Sequence, residues 1–370
     1  MHFSCSLNSL SEMVNNVSLA ISPKTNTIPA LEGILLESIS ESQLKLTGYD
    51  LDIGIIGSLQ VDIQREGAII LNAQLLREIL RKMAGPVVNF SVDDKFITVI
   101  SDNETEYKII GIDPKDYPTI PQIGANQTLT IKDNILKTMI SQTLFAVSQN
   151  PTQNPILCGS MFKIENGYLS IVSVDGYRVA LSKRKIETTL SNINFVIPSK
   201  TLNEICKLLK EEDEMETTIE ISQSHVLFKI GGYFIITRLL EGSFIDYEAA
   251  IPKKSSTAVV TDPKEIAQRI ERVSIMVTNR ISVVMKVESD KILLQCESTL
   301  GQANDMLTVQ MTGEPIEKIA FNNRYMLEAL KHAECEKIKI NMDGPVMPIK
   351  IEPVDSDEFL YLVLPVRLKA

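Results

Sequence analysis

The sequence has no tryptophan and, in 370 residues, only three histidines and five cysteines. The cysteines are odd in number, far apart and never paired as C-x-x-C, which is typical of reduced thiols and argues against a zinc site. They are Cys5, Cys158, Cys206, Cys296 and Cys335. No window holds 18 uninterrupted apolar residues, and the first twenty residues lack a basic segment before an apolar stretch. We therefore expect no membrane span, no export signal and a cytoplasmic location.

Motifs of the common enzyme classes are also missing from the sequence. It contains no G-x-S-x-G, no G-x-x-x-x-G-K-[ST] and no H-E-x-x-H, and His2, His225 and His332 stand in no catalytic signature. Asp50 and Asp52 alternate on one face of a predicted strand, where solvated carboxylates are more common than metal ligands. We expect no enzyme activity, no catalytic residue, no metal and no cofactor.

Negative charge predominates: 47 acidic and 37 basic residues give a net charge of −10. This total argues against binding to a nucleic acid, unless the basic residues are gathered on one face. Apolar residues make up 44% of the chain, as in ordinary globular proteins. At this length, two or three domains are expected.

An amphipathic helix recurs three times without gaps. The run from Leu71 to Leu80 matches Ile197 to Cys206 and Phe321 to Leu330. The register aligns apolar residues at the i, i+3 and i+4 spacing of a core-facing helix. These residues are Leu76, Leu202 and Met326, then Ile79, Ile205 and Ala329, then Leu80, Cys206 and Leu330. A second helix type recurs before each, introduced by Asn8, Asp133 or Asp262 as predicted N-terminal caps.

Basic residues follow the same register on the opposite helix face. Arg81, Lys207 and Lys331 share one position, and Gln74, Lys200 and Arg324 share another. The earlier helix type carries Lys132 and Lys137 in the second copy and Arg269 and Arg272 in the third. For each basic residue taken singly, a solvated helix face remains an equal interpretation. The shared register favours a common basic surface.

Alternating apolar and polar residues between the helices predict antiparallel strands. Asn166-Gly167 is a strong signal for a two-residue hairpin, and Ser289-Asp290 stands at the comparable place in the third copy. Pro-bearing connectors at 116–121 and 246–252 end the first two copies. The fold class predicted is α+β, as three tandem copies of a two-helix, antiparallel-sheet domain spanning 1–126, 127–254 and 255–370.

Three motifs accompany the repeat: Phe145–Ser148 (FAVS), Val174–Arg178 (VDGYR) and the terminal Leu364–Leu368 (LPVRL). Their order and spacing resemble those of the bacterial DNA polymerase sliding clamps, the beta subunit of DNA polymerase III, along the whole chain. The resemblance implies a DNA polymerase processivity factor, a ring that encircles duplex DNA without sequence specificity. It also implies a head-to-tail homodimer with helices lining the hole, and a groove that binds short linear motifs of polymerases, clamp loader and repair proteins.

The resemblance assigns three sets of residues. The DNA-facing lining is Lys24, Arg77, Arg81, Lys82, Lys137, Gln149, Lys200, Lys207, Arg269, Arg272, Arg324 and Lys331. The partner-peptide groove is Leu157, Val174, Gly176, Tyr177, Arg178, Val179, Ile245, Asn322, Tyr325, Val346, Pro348, Leu362, Leu364, Pro365, Val366, Arg367 and Leu368. The dimer interface is Tyr107, Ile109, Ile275 and Met276. Several groove and interface residues, Val179 and Leu362 in particular, are also interpretable as ordinary core.

This sequence departs from the family pattern at Ile245, Ala249 and Ile281, which predicts a shallower groove of altered selectivity. The Gln149–Asn154 segment carries no charged residue, and Lys369 and Ala370 extend past the usual end. Two alternatives stay open: a protein-interaction scaffold that binds no DNA, favoured by the acidic total, and an enzyme of unknown mechanism on a repeated scaffold.

Overall fold

The structure is a computed structural model that describes residues 1–21, 28–121, 123–124, 126–277, 282–299 and 301–367. Three predicted site residues, Lys24, Ile281 and Leu368, lie outside the described residues, as do Lys369 and Ala370. The predictions made for them therefore stay predictions.

The elements repeat three times along the chain. The first copy contains β1 (His2–Ser6), α1 (Leu7–Val17), β2 (Gly33–Ser40), β3 (Gln43–Tyr49), β4 (Ile53–Gln60), β5 (Asp62–Arg65), β6 (Ala68–Asn72), α2 (Ala73–Lys82), β7 (Val87–Val92), β8 (Ile97–Ser101) and β9 (Glu106–Ile110). The second contains β10 (Gln127–Lys132), α3 (Asp133–Leu144), β11 (Gly159–Glu165), β12 (Tyr168–Val174), β13 (Arg178–Lys185), β14 (Ile193–Pro198), α4 (Ser199–Leu208), β15 (Glu216–Ile221), β16 (His225–Ile230) and β17 (Tyr233–Arg238). The third contains β18 (Thr257–Thr261), α5 (Pro263–Ser274), β19 (Val283–Val287), β20 (Lys291–Ser298), β21 (Gly301–Thr308), β22 (Gln310–Gly313), β23 (Ile316–Phe321), α6 (Asn323–Lys331), β24 (Ile338–Met342), β25 (Ile349–Pro353) and β26 (Phe359–Val363).

The chain forms two compact units. The first unit comprises Met1–Ile135 and Asn203–Leu239. It contains a five-stranded sheet of order β5-β1-β7-β8-β9 and an eight-stranded sheet of order β10-β15-β16-β17-β4-β3-β2-β6. The eight-stranded sheet joins strands of the first and second copies, because β17 pairs antiparallel with β4.

The second unit comprises Leu136–Leu202 and Leu240–Ala370. Its nine-stranded sheet has the order β14-β11-β12-β13-β26-β25-β24-β18-β22, and its four-stranded sheet has the order β21-β20-β19-β23. The antiparallel pair β13–β26 joins the second and third copies, in the same way that β4–β17 joins the first and second.

The predicted helix stripe is buried in all three copies. Leu76, Leu202 and Met326 are at most 1% exposed, whereas Cys206 is only half-buried. The predicted starts of these helices were two residues early. Leu71 and its counterparts Ile197 and Phe321 instead lie within the last two residues of β6, β14 and β23, the strands that precede α2, α4 and α6, because apolar residues at a strand end and in a first helical turn give the same short pattern.

The local signals had mixed outcomes. Asn166 and Gly167 have φ of 52° and 76°, as a two-residue hairpin of this hand requires, and Glu165 pairs with Tyr168 across the turn. Asp262 caps α5 as predicted. The cap of α1 is Ser6, and Asn8 lies inside the helix, so that prediction was wrong.

Three further acidic residues, Asp50, Asp52 and Asp133, do not lie where the sequence pattern placed them. Asp50 and Asp52 are in the turn after β3, and Asp50 Oδ1 accepts hydrogen bonds from the backbone N–H of Asp52 and Ile53. Asp133 is a buried residue that accepts hydrogen bonds from Thr217 Oγ1 and the Lys210 backbone N–H. The carboxylates of Asp50 and Asp133 therefore stabilise local structure.

Candidate functional site

The basic position shared by the three copies is exposed in each. Arg81, Lys207 and Lys331 all lie in the last turn of their helices, where the helix dipole favours positive charge. Lys207 Nζ lies 2.6 Å from Glu204 Oε2. Three copies of one helix type thus present a cation at one equivalent place, and this arrangement is suited to contact with a repeating polyanion.

Carboxylates hold several of the other predicted lining residues. Arg272 Nε donates to Asp305 Oδ2 at 2.6 Å, and Arg269 Nη1 lies 3.4 Å from Asp305 Oδ1. The Asn15 amide oxygen accepts a hydrogen bond from Arg77 Nε at 3.0 Å. These contacts fix the direction of long side chains that would otherwise lose rotamer entropy on binding. Lys82, Gln149 and Lys200 are exposed, and Lys137 is half-buried.

Four of the predicted groove residues lie together in the second unit. Leu157, Val174, Val179 and Leu362 belong to one buried apolar cluster that also contains Tyr247. Val179 and Leu362 are 7% and 1% exposed. They form the inner wall of this region, because β13 pairs Val179 with Leu362 of β26.

The rim of the same region exposes large apolar side chains. Tyr177 stacks on Tyr325 with ring centroids 6.2 Å apart. Asn322 caps α6 by accepting hydrogen bonds from two backbone N–H groups. Gly176 has a φ of 89°, in the left-handed region that favours glycine. Of the other predicted groove residues, Ile245, Val346, Leu364, Val366 and Arg367 are exposed, and Pro348 and Pro365 are half-buried. Exposed apolar side chains beside a buried apolar wall are typical of a peptide-binding surface.

Backbone hydrogen bonds hold Leu364 and Val366 to other parts of the second unit. The Leu364 N–H donates to the Tyr177 carbonyl oxygen at 2.9 Å, and the Val366 N–H donates to that of Ala320 at 2.7 Å. Pro365 forms an isolated bridge with Phe321. These contacts place Leu364 beside the turn that carries Tyr177, and Pro365 and Val366 beside the end of β23.

Arg178 connects three parts of the second unit, and its side chain is only 6% exposed. Its Nε donates to Asp175 Oδ2 at 2.9 Å, its Nη1 donates to Glu328 Oε2, and its Nη2 donates to the Phe145 carbonyl oxygen. The guanidinium carbon also lies 4.5 Å from the centroid of the Tyr325 ring. Such a buried charge is stable only when it is paired and hydrogen-bonded.

Glu328 has two arginine partners. Its Oε2 accepts from Arg178, and its Oε1 accepts from Arg324 Nε at 3.0 Å. Burial alone would raise the pKa of the Glu328 carboxyl, but the hydrogen bonds from Arg178 and Arg324 outweigh it, so the pKa lies below its ordinary value. The hydrogen bond to Glu328 raises the pKa of Arg324.

Sequence reasoning did not assign roles to Phe145, Asp175 and Glu328. The signals were present, because Phe145 begins the FAVS motif, Asp175 lies in VDGYR and Glu328 aligns with Glu78 and Glu204. Their mutual contact through Arg178 depends on residues up to 150 positions apart. Local sequence patterns do not encode a contact at that separation.

The histidines make structural contacts. His332 stacks on Phe145 with ring centroids 4.7 Å apart, and its Nδ1 lies 2.8 Å from the Glu328 carbonyl oxygen. His225 Nδ1 lies 2.9 Å from Ser224 Oγ. Within the described ranges, no group of three or more His, Cys, Asp or Glu side chains is placed to hold a metal ion.

Each unit has an open sheet edge. β9 pairs only with β8, and β21 pairs only with β20, among the described residues. Tyr107 and Ile109 are half-buried on one face of β9, and Ile110 is exposed. Ile275 is exposed and Met276 half-buried just after α5. Sequence reasoning did not single out β21.

Comparison with known families covers all three copies. The family models for the N-terminal, central and C-terminal domains of the DNA polymerase III beta subunit match residues 1–121, 130–246 and 248–367. The chain belongs to the DNA polymerase III beta subunit family. It therefore has the three-domain sliding-clamp fold, with mixed helix and sheet.

Relatives in this family match over their full length. The beta sliding clamp of Bacillus subtilis (strain 168) is 32% identical, over 99% of this chain and 100% of the relative. That of Halalkalibacterium halodurans is 33% identical, over 99% and 100%. A crystal structure of the Bacillus subtilis DNA polymerase sliding clamp has a TM-score of 0.95 at 32% identity and covers 100% of both chains.

A second crystal structure, of a putative DNA polymerase III beta subunit from Eubacterium rectale, has a TM-score of 0.94 at 29% identity and covers 100% of both chains. The polymerase sliding-clamp resemblance inferred from the FAVS, VDGYR and LPVRL motifs is thereby confirmed. Among the described residues of this chain, no helix is long and apolar enough to cross a membrane.

Proposed function

We propose that this chain is the processivity factor of DNA replication in its cell, a sliding clamp that encircles duplex DNA and tethers polymerases to it. The observation that carries the proposal is the ordered match of all three clamp domains, with full-length similarity to beta sliding clamps. Enclosure needs no sequence readout, since phosphate contacts position a protein on DNA without identifying bases. The protein acts in the bacterial cytoplasm, at the nucleoid, and has no catalytic role of its own.

A topology experiment tests this function. The protein is loaded onto nicked circular DNA with the cognate clamp loader and washed at high salt, which screens phosphate contacts. We expect it to stay on the circle and to leave once a restriction enzyme linearises the DNA. A protein-interaction scaffold without DNA would not be retained on either form, and a protein held by affinity alone would leave the circle in the salt wash.

The exposed basic residues of α2, α4 and α6 are proposed to face the DNA. Arg81, Lys207 and Lys331 are the equivalent cations of the three copies. Phosphate contacts of this kind are salt-dependent and independent of sequence, which permits sliding. Lys24, outside the described residues, and the other predicted bases, including the carboxylate-paired Arg269 and Arg272, complete the proposed surface.

Charge reversal tests the lining. We expect the triple variant Arg81→Glu, Lys207→Glu and Lys331→Glu to lose polymerase processivity, and the slope of log affinity for duplex DNA against log salt to fall by roughly one per removed contact. The control variant Lys95→Glu, Lys185→Glu and Lys318→Glu changes exposed lysines outside the helices. Both variants change the net charge by −6, from −10 to −16. Equal effects of the two variants would contradict the lining assignment.

The open edges β9 and β21 support a head-to-tail homodimer. Within the chain, the third strand after the first helix of one copy pairs with the last strand of the next copy, as in β4–β17 and β13–β26. In the same scheme β21 would pair with β9 of a second copy, and the four- and five-stranded sheets would form one of nine strands. Two such junctions close a ring of six domains, and closure removes exposed edges that invite aggregation.

The groove of the second unit is proposed to bind short linear motifs of polymerases, the clamp loader and repair proteins. Its tyrosine pair, of exposed Tyr177 and half-buried Tyr325, and its buried apolar wall suit a few anchoring side chains of an extended peptide. The three domains are proposed to span 1–126, 127–254 and 255–370, because each copy opens with its first strand at His2, Gln127 or Thr257.

A further inference from the structure

The side chains of Arg324, Glu328 and Arg178 form a continuous line from solvent to the interior of the second unit. Arg324 is 73% exposed, Glu328 is 29% exposed and Arg178 is 6% exposed. The two arginines bind different oxygens of the same carboxylate. The outermost member is a predicted phosphate ligand, and the innermost member lies over the ring of Tyr325.

The two arginines of this line differ in how firmly they are held. Arg178 is also paired with Asp175 and donates to the Phe145 carbonyl oxygen, so its position is set by three elements. Arg324, in contrast, is exposed and has Glu328 as its carboxylate partner at 3.0 Å. A phosphate near Arg324 competes with Glu328 for this guanidinium, since Arg binds phosphate and carboxylate with the same fork of donors.

On the basis of the proposed function, we propose that Glu328 is a positioning residue through which DNA contact at Arg324 raises the affinity of the groove for its partner peptide. When phosphate draws Arg324 away, the Glu328 carboxylate serves Arg178 alone. Arg178 is then held more firmly between Asp175, Phe145 and Glu328. Its guanidinium fixes the ring of Tyr325, on which Tyr177 stacks. A groove fixed in advance loses less conformational entropy when a peptide binds.

Among the residues that the structure describes, the line is built once. In the repeat register Ile53 takes the place of Arg178 in the first copy, and Thr201 takes the place of Tyr325 in the second. The turns themselves are alike, because Asp50 and Asp175 each accept hydrogen bonds from the backbone N–H groups two and three residues later. The arginine and the tyrosine are therefore specific additions to a common turn.

Peptide affinity with and without DNA tests the coupling. The probe is a fluorescein-labelled synthetic peptide from the clamp-binding segment of the cognate replicative polymerase, followed by anisotropy. A saturating short linear duplex at low ionic strength supplies the DNA. We expect the Kd of the peptide to fall about fivefold with DNA, at the low end of typical couplings between two sites.

Two variants test the contacts of Glu328 with the two arginines separately. In Arg324→Gln the carboxylate already belongs to Arg178, so the DNA-free protein should bind peptide as tightly as the DNA-bound wild type, with no further change on adding DNA. In Glu328→Gln the charge that connects the arginines is lost, and DNA should no longer change the peptide Kd.

The matched control is Lys331→Gln, on the same helix. Lys331 is exposed and makes no hydrogen bond or ion pair with Glu328 in the described structure. We expect this variant to need more DNA for saturation but to keep the fivefold tightening. Should Glu328→Gln fail to fold, the exposed Arg324→Gln variant decides the question.

A spectroscopic readout needs no peptide. The sequence contains no tryptophan, so Tyr177→Trp places a single fluorophore beside Tyr325. DNA binding should shift its emission, and the shift should disappear when Arg324→Gln is added.

The coupling is overturned if saturating DNA leaves the wild-type peptide Kd unchanged or weakens binding, or if Arg324→Gln keeps the wild-type ratio. These outcomes differ from failure of the proposed function. In that case the protein would not be retained on circular DNA, or it would not bind the peptide under any condition.

Discussion

At the scale of single residues, the carboxylate of Asp102 connects two loops of the first copy through hydrogen bonds to the backbone. Its carboxylate accepts hydrogen bonds from the backbone N–H groups of Ala84, Gly85, Glu104 and Thr105 at 2.7–3.1 Å. One half-buried side chain thus holds the turn before β9 against the loop after α2. The hydrogen bonds from the Glu104, Gly85 and Thr105 N–H groups lower the pKa of Asp102 to about 2.

This shift predicts an acid dependence. A carboxyl whose folded pKa is below its unfolded value, about 3.9, contributes stability that is complete above pH 4 and lost as the pH falls towards 2. We expect Asp102→Asn to lower the urea midpoint at pH 7, and the difference from wild type to shrink between about pH 4 and pH 2. The control Asp343→Asn, at an exposed residue, should show no such trend. If the difference in urea midpoint between Asp102→Asn and wild type did not change with pH, the lowered pKa of Asp102 would not be the cause.

Single polar residues show the limits of prediction from sequence. Asn8 and Ser6 are both good capping residues, and only the three-dimensional path of β1 into α1 makes Ser6 the cap. Asp50 and Asp52 alternate like strand residues, but the chain turns at Leu51, which has a φ of 78°. The hydrogen bonds to Asp50 stabilise that turn. A two-residue alternation does not identify such a turn in advance.

At the scale of elements, α2 depends on its N-terminal cap. The Asn72 side-chain oxygen accepts a hydrogen bond from the Leu75 backbone N–H at 3.0 Å, which satisfies one donor that has no partner within the helix. We expect Asn72→Ala to lower the free energy of unfolding by about 1 kcal/mol and Asn72→Asp to keep most of it. Urea unfolding of the three proteins checks this, and equal losses in both variants would mean that the cap is not the cause.

The helices were predictable because three copies of the same stripe reinforce each other. Their first residues were not predictable to the same accuracy, because Leu71, Ile197 and Phe321 are buried whether they end a strand or begin a helix. The short strands β5 and β22 carry no sequence pattern of their own, and each exists because it pairs with the first strand of its copy. Pairing of this kind is set by tertiary structure and not by propensity.

At the scale of the whole molecule, one junction repeats. β17 pairs with β4 so that Ile235 faces Ile55, and β26 pairs with β13 so that Tyr361 faces Ala180. Tyr107 takes the place of Ile235 and Tyr361, because equivalent rows of facing residues lead to each of them: Phe90–Ile100–Tyr107, Ile219–Phe228–Ile235 and Ile340–Ile351–Tyr361. Ala303 takes the place of Ile55 and Ala180, because its partner Cys296 lies six residues after the hairpin turn that joins β19 and β20. The repeat therefore predicts Tyr107 opposite Ala303 of a second copy.

A charge swap tests this register. Tyr107→Glu should place a desolvated carboxylate in the junction and convert the dimer to monomer, because an unpaired buried charge is strongly unfavourable. Ala303→Lys in the same chain supplies the opposite charge directly across the junction, since facing residues of antiparallel strands lie about 5 Å apart, and should restore dimerisation in part. Thr308→Lys, an exposed residue of the same strand five positions on, should not. Sedimentation of the three proteins measures the outcome. Rescue by both lysines would point to general charge attraction, and rescue by Thr308→Lys alone would mean that the two copies meet in a different register.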